Sequence, residues 1–313
     1  MRRAGQAAAV RALTLVILTG ALPGRVGAQE LPNTGTVDQL SRTTAVGAPE
    51  PAALPSYPSH YGARPLTLPQ LTARAATELH VLYFDFSRFN PLVSIEVSAG
   101  IGVTDNLELG LGTPALAPIV AAARVFGPHL GLGGWLTPEL SRGMLPPTLY
   151  ARYRVLATES IELGVELDGI LPANGSRGGL ALGVPMRARV NTSFVVDAAF
   201  GVLFAFYDSG FGGRSTDVIV SFSVMPRYAH DAFYVGIDTG LFFIAKNANE
   251  VFVPVLLELG ATLPAGASTL DVYARGGFPL LFTSASGDAA YPETWELSVG
   301  LRGYFDLRAP TAY

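Results

Sequence analysis

Period-two alternation, high hydropathy without a spanning helix, and connections of alternating length predict an all-β chain. The expected form is a transmembrane antiparallel up-and-down β-barrel of about 12 strands, roughly 10 to 14. Ser94 to Thr113, "SIEVSAGIGVTDNLELGLGT", carries the first observation. Ile95, Val97, Ala99, Ile101 and Val103, then Leu107, Leu109 and Leu111, take alternate positions. Between them stand Ser94, Glu96, Ser98, Gly100 and Gly102, then Glu108, Gly110 and Gly112. Thr104-Asp105-Asn106 makes the turn of a hairpin with one aliphatic face and one face of glycine and carboxylate. Composition carries the second observation. Only 15% of the 313 residues are charged and mean hydropathy is +0.35, against about a quarter charged in a soluble domain. No stretch after residue 28 offers the 18 or so consecutive apolar residues of a membrane helix. A barrel raises hydropathy without such runs, because only alternate residues face lipid.

The elements follow in order. Residues 1–28 read as a secretory signal. Arg2, Arg3 and Arg11 form the positive end, Ala12 to Leu22 the short apolar core, and "VGA" a small-residue cleavage site between Ala28 and Gln29. Its four arginines leave with it, so 17 basic residues face 25 acidic ones and the mature charge is −8. That acidity excludes a nucleic-acid partner. With no cysteine, stability rests on ladder and packing rather than disulfides. Residues 29–77, broken by Pro32, Pro49, Pro51, Pro55, Pro58, Pro65 and Pro69, are expected to be a periplasmic leader, disordered or plug-like. Residues 78–307 form the barrel and 308–313 a tail.

Strands are expected near 79–88, 92–103, 106–113, 147–157, 160–171, 179–190, 193–206, 216–228, 232–244, 251–263, 268–282 and 294–307, with 117–137 able to add a pair. Most reach the ten or so tilted residues that cross a bilayer. Short turns ("TDN", "TES", "NTS", "AHD", "PAGA") alternate with longer polar connections, the layout of a barrel with its short turns at the periplasmic rim. The aliphatic face then meets lipid and the glycine and carboxylate face the lumen. By this reading Val165 tolerates no charge, whereas Gly164 beside it does. Aromatic residues mark the two membrane interfaces: Phe194, Tyr228, Phe233 and Phe305 near the short turns, Phe206, Phe243 and Trp295 near the other rim. A secreted β-sandwich would carry more charge on its outer faces.

The hairpin "GIGVTDNLELGLG" resembles those of bacterial outer-membrane β-barrel proteins, some of them grouped with small-solute or hydrocarbon transporters. The resemblance covers the strand and turn layout from about 79 to 307. The last strand, "ELSVGLRGYFDL", is similar to a barrel-assembly signal, although "RAPTAY" follows it. The resemblance implies an outer-membrane location in a Gram-negative bacterium, with outer-membrane lipid and the barrel assembly machinery as partners.

Eight charges are expected to line the lumen: Arg152, Arg154, Glu162, Glu166, Asp168, Arg187, Arg189 and Asp197. Register places Arg154 near Glu162 and Arg187 near Asp197. They act as a salt-bridge ladder or as a charged filter for solutes. If Arg187 and Asp197 pair, losing Asp197 alone should hurt more than losing both. Glu162 and Glu166 are read as structural rather than as an acid–base pair. His60, His80, His129 and His230 have no second ligand at metal-binding spacing. No GxSxG elbow or phosphate loop is present. The expectation is no enzyme, no cofactor and no metal. The expected function is passive passage or uptake of a small solute. A structural or adhesive barrel acting through external loops is the alternative, and a barrel-embedded enzyme the third.

Overall fold

Residues alternating between oil and water in long runs form strands, and among the described residues thirteen of them make up the wall in the computed structural model. They are β1 (Thr72–Tyr83), β2 (Leu92–Gly102), β3 (Leu107–Leu111), β4 (Leu132–Trp135), β5 (Thr148–Ala157), β6 (Ile161–Ile170) and β7 (Ser176–Arg189). They continue with β8 (Phe194–Asp208), β9 (Arg214–His230), β10 (Phe233–Ile244), β11 (Val251–Ala265), β12 (Ser268–Thr283) and β13 (Trp295–Asp306). The structure describes residues 57–83, 92–112, 132–135, 147–172, 176–208, 214–247, 251–266, 268–283 and 295–308, all within the unit Ala53–Tyr313. The cleavage site at Ala28 and Gln29, the chain up to residue 56, His129 and residues 309–313 lie outside them.

The sheet is antiparallel and closed. Except at β4, which pairs with β2 while β3 pairs with β5, neighbours in sequence are neighbours in the wall, and β1 joins both β2 and β13. Thirteen strands fill twelve positions, because β3 and β4 both pair with β2, against Ala99–Gly102 and Ser94–Val97 respectively. Of the extra strand pair expected over 117–137, the described residues contain only β4. β1 begins at Thr72, ahead of the boundary expected at 78. "TARAAT" alternates weakly in hydropathy, and its ladder to Asp306–Leu301 of β13 is set by closure rather than by pattern.

Polar side chains define three of the short turns locally. Thr104 Oγ1 accepts from the amides of Asn106 and Leu107, Thr158 Oγ1 from Ile161, and Asn191 Oδ1 from Ser193 and Phe194. These are the side-chain-to-backbone bonds that favour Thr and Asn in turns.

The two faces separate along the strands whose side chains are described. Val97, Leu109, Val165, Leu182, Ile237, Leu257 and Val299 are exposed outward, while Glu162, Glu166, Asp168, Arg187 and Asp197 are buried inward. Tyr228, Phe233, Phe206 and Phe305 are exposed on the outer face. Phe194 and Phe243 are half-buried, and Trp295 stacks on Tyr83 at 3.7 Å. The inner face is not uniformly polar. Ile170, Ala181, Leu203, Ile219, Phe242 and Phe252 form one buried cluster on the half of β6 to β11 away from the short turns. Several inward glycines make room for a tyrosine of the next strand. A Cβ on Gly110 would lie 2.4 Å from the ring of Tyr150, one on Gly260 2.2 Å from Tyr234, and one on Gly300 2.4 Å from Tyr273.

Candidate functional site: the lumen and its plug

Residues 57–71, "YPSHYGARPLTLPQL", run inside the short-turn end of the barrel. Pro58, Pro65 and Pro69 lack amide hydrogens, so this segment cannot add a regular strand. It makes a 3-10 turn at Tyr61–Ala63 and otherwise has no ladder partner apart from a single bridge of Gln70 to Gly102. Its buried backbone groups must nevertheless be satisfied, and charged side chains of the wall do this. The carbonyl of Arg64 accepts from Arg187 Nη1 (2.8 Å) and Arg189 Nη2 (2.7 Å). The carbonyl of Gly62 accepts from Arg189 Nε (3.0 Å), and that of Leu66 from Arg152 Nη1 (3.2 Å). The amides of Leu66 and Leu68 donate to Glu162 Oε2 (2.8 Å) and Glu108 Oε2 (3.0 Å).

One charge of the segment points back at the wall. The Arg64 guanidinium forks onto Asp271, Nη1 to Oδ2 at 2.6 Å and Nη2 to Oδ1 at 2.7 Å, and donates to Thr262 Oγ1 at 2.8 Å. Tyr57, Tyr61 and Tyr304 present their rings 5.0–5.7 Å from it, a cation–π cage closed by the stacked pair Tyr57–Tyr304. Burial alone pulls the Arg64 guanidinium down, but the bonded Asp271 carboxylate more than reverses this and holds the group above its ordinary value. Burial likewise pushes the phenols of Tyr57 and Tyr61 up. The chain leaves the lumen at Leu71, whose φ of 58° makes the sharp corner into β1. Gly102 permits that corner, because a Cβ there would lie 1.9 Å from the carbonyl oxygen of Pro69.

The eight lumen charges named from sequence all face inward, and all but Asp168 are engaged. Arg152 bonds Glu166 (Nε to Oε2 2.6 Å). Arg154 bonds Glu162 at 3.1 Å, and Arg189 reaches the other oxygen of that carboxylate. Arg187 forks onto Asp197 at 2.6 and 2.9 Å, and Arg227 joins the same carboxylate at 2.7 Å. Sequence reasoning did not select Glu108, Arg227, Glu258 or Asp271 as site residues, although their inward parity was readable. A second group, also missed, surrounds His80 on β1: Glu78 and Glu96 lie 3.3 and 3.5 Å from its Nε2, Glu296 3.6 Å from Nδ1, and Arg275 bonds Glu78. Among the described residues no group of His, Cys, Asp and Glu has a metal-binding arrangement.

Asp197 is shared by two buried arginines, so Asp197→Asn should cost about 3–5 kcal/mol. This is measurable as a lower temperature at which the folded gel mobility is lost. Adding Arg187→Gln should restore only part, because Arg187 also holds the Arg64 carbonyl. A double variant no more heat-resistant than the single one would argue against a lumen ion pair.

Several solved structures are similar to this chain in fold. It is similar to the NanC porin (10% identity, TM-score 0.49, covering 74% of this chain and 98% of that one). It is also similar to an outer-membrane channel from Pseudomonas putida F1 (13%, 0.48, 76% and 97%) and to an anion-selective porin from Comamonas acidovorans (9%, 0.38, 75% and 98%). No protein-family model and no curated protein matches the sequence.

Proposed function

We propose that this chain is an outer-membrane barrel for passive passage or uptake of a small solute, exported through a cleaved signal and closed at its periplasmic end by residues 57–71. One observation carries the reading: a closed barrel turns an aliphatic belt outward and encloses a lumen that is charged at one end and apolar at the other. A closed ring of strands satisfies every backbone group in hydrocarbon, and an apolar outer band is what lipid requires. The charged end is the plug seat. The apolar end, on the side of the longer connections, is where a solute from outside would first meet the wall.

The location is tested by fractionation and by gel mobility. The protein should sediment with outer membranes and run faster unheated than boiled. Recovery in the soluble periplasmic fraction would sink the reading. Transport is tested by swelling of liposomes holding the full chain, wild type and Arg64→Ala. Swelling above empty liposomes in either supports passage, whereas silence in both favours a structural or adhesive barrel acting through its external loops.

A further inference from the structure

Asp168 stands apart from the other seven lumen charges. It is buried to 5% exposure, yet its Oδ1 has no hydrogen-bond partner. Glu166, two residues away on the same face, also leaves Oε1 without a partner, because its other oxygen holds Arg152. Arg152 in turn is spent on Glu166 and the Leu66 carbonyl. Tyr150, the register partner of Asp168 on β5, gives its hydroxyl hydrogen to Glu108. Two inward acceptor oxygens therefore lack a donor: the Tyr150 hydroxyl and Arg152 Nε and Nη1 are committed elsewhere, and Arg152 Nη2 lies against the other Glu166 oxygen without a hydrogen bond of its own.

What lies beside them is apolar. Asp168 is in register with Ala181 of β7, Ala181 with Leu203 of β8, and Leu203 with Ile219 of β9. This row belongs to the buried cluster that continues into Phe242 and Phe252. Strands stand about 4.8 Å apart, so the row from β6 to β9 runs about 14 Å along the wall. A buried carboxylate without a donor is costly, and a ligand that brings the donor removes that cost.

We infer that this wall is a binding site for an organic monocation with an apolar body, an alkyl- or arylammonium, whose head bonds Asp168 and Glu166 and whose body lies on Ala181, Leu203 and Ile219. The inference rests on the proposed uptake reading and names the solute class. An ammonium offers several donors and a positive charge, and charge-assisted bonds of this kind are stronger than neutral ones. A neutral alcohol of the same body keeps the apolar contact and loses the charge.

Calorimetry on the detergent-solubilised full chain tests this with 2-phenylethylammonium and 2-phenylethanol. The ammonium should bind about tenfold or more tighter than the alcohol. Asp168→Asn should erase that difference while keeping heat-modifiable mobility, and Asp168→Glu should retain part of it. Equal affinity of the two probes, no binding of either, or a preference that survives in Asp168→Asn overturns the inference. Flux of the ammonium into liposomes is read separately. Binding with the expected preference but without flux supports the site and counts against uptake.

Discussion

Arg64→Ala is expected to unseat the plug. In the seated state the substitution leaves Asp271, which is fully buried, with Thr262 as its remaining hydrogen-bond donor. In the unseated state the same carboxylate meets lumen water, so the penalty falls on the seated state alone. Removing one partner of a buried pair costs about 3–5 kcal/mol. Arg302, with Nη1 4.0 Å from the same carboxylate, tempers the loss and sets the expectation near the lower figure. The seated-to-unseated ratio should fall by about a hundredfold. The variant should open more often in single-channel recordings, and solute flux should rise with it. Arg64→Lys keeps the charge but not the fork onto both carboxylate oxygens, and should fall between the two. The backbone bonds from Arg187, Arg189, Arg152, Glu162 and Glu108 do not involve this side chain, so the barrel itself should keep its heat resistance. Unchanged conductance in a well-folded Arg64→Ala protein would show that residues 57–71 do not govern passage.

The second large effect separates the two faces of β6. Val165 is 46% exposed at the middle of the strand, so Val165→Arg places a charge in the lipid-facing band and should cost about 2–4 kcal/mol, read as failed or slow assembly in vitro. Gly164 faces inward, and by parity alone an arginine there is harmless. The tertiary structure changes that expectation. A Cβ at Gly164 would lie 3.2 Å from Leu66 Cδ2 and from the Tyr153 carbonyl oxygen, and 3.3 Å from Pro185 Cγ. The whole arginine side chain then needs the space that Leu66 occupies. Gly164→Arg should therefore still assemble, because the lipid face is untouched, but with the plug displaced and conduction raised. Assembly defects of equal size in both variants would refute the assignment of inside and outside.

The wall was legible because its cause is local. Hydrocarbon outside and polar groups within impose a period of two, and a slip of one residue would exchange the faces. That makes Val165 and Glu166 readable as outward and inward without coordinates. The turns were legible for the same reason, since Thr104, Thr158 and Asn191 bond amides two or three residues away. The apolar cluster within the lumen was harder to see: in "VLFAF" both parities are apolar, so periodicity does not say that Leu203 turns inward while Phe206 turns outward. The plug was not decided by sequence at all. Residues 57–71 have no period, and proline leaves them unable to form a regular strand. Their hydrogen bonds go to Glu108, Arg152, Glu162, Arg187, Arg189 and Asp271, most of them about a hundred or more residues away along the chain. Only closure of β1 onto β13 brings those side chains into one ring. The same closure decides which of the eight lumen charges named from sequence are bonded by plug or wall, and leaves the Asp168 Oδ1 without a donor.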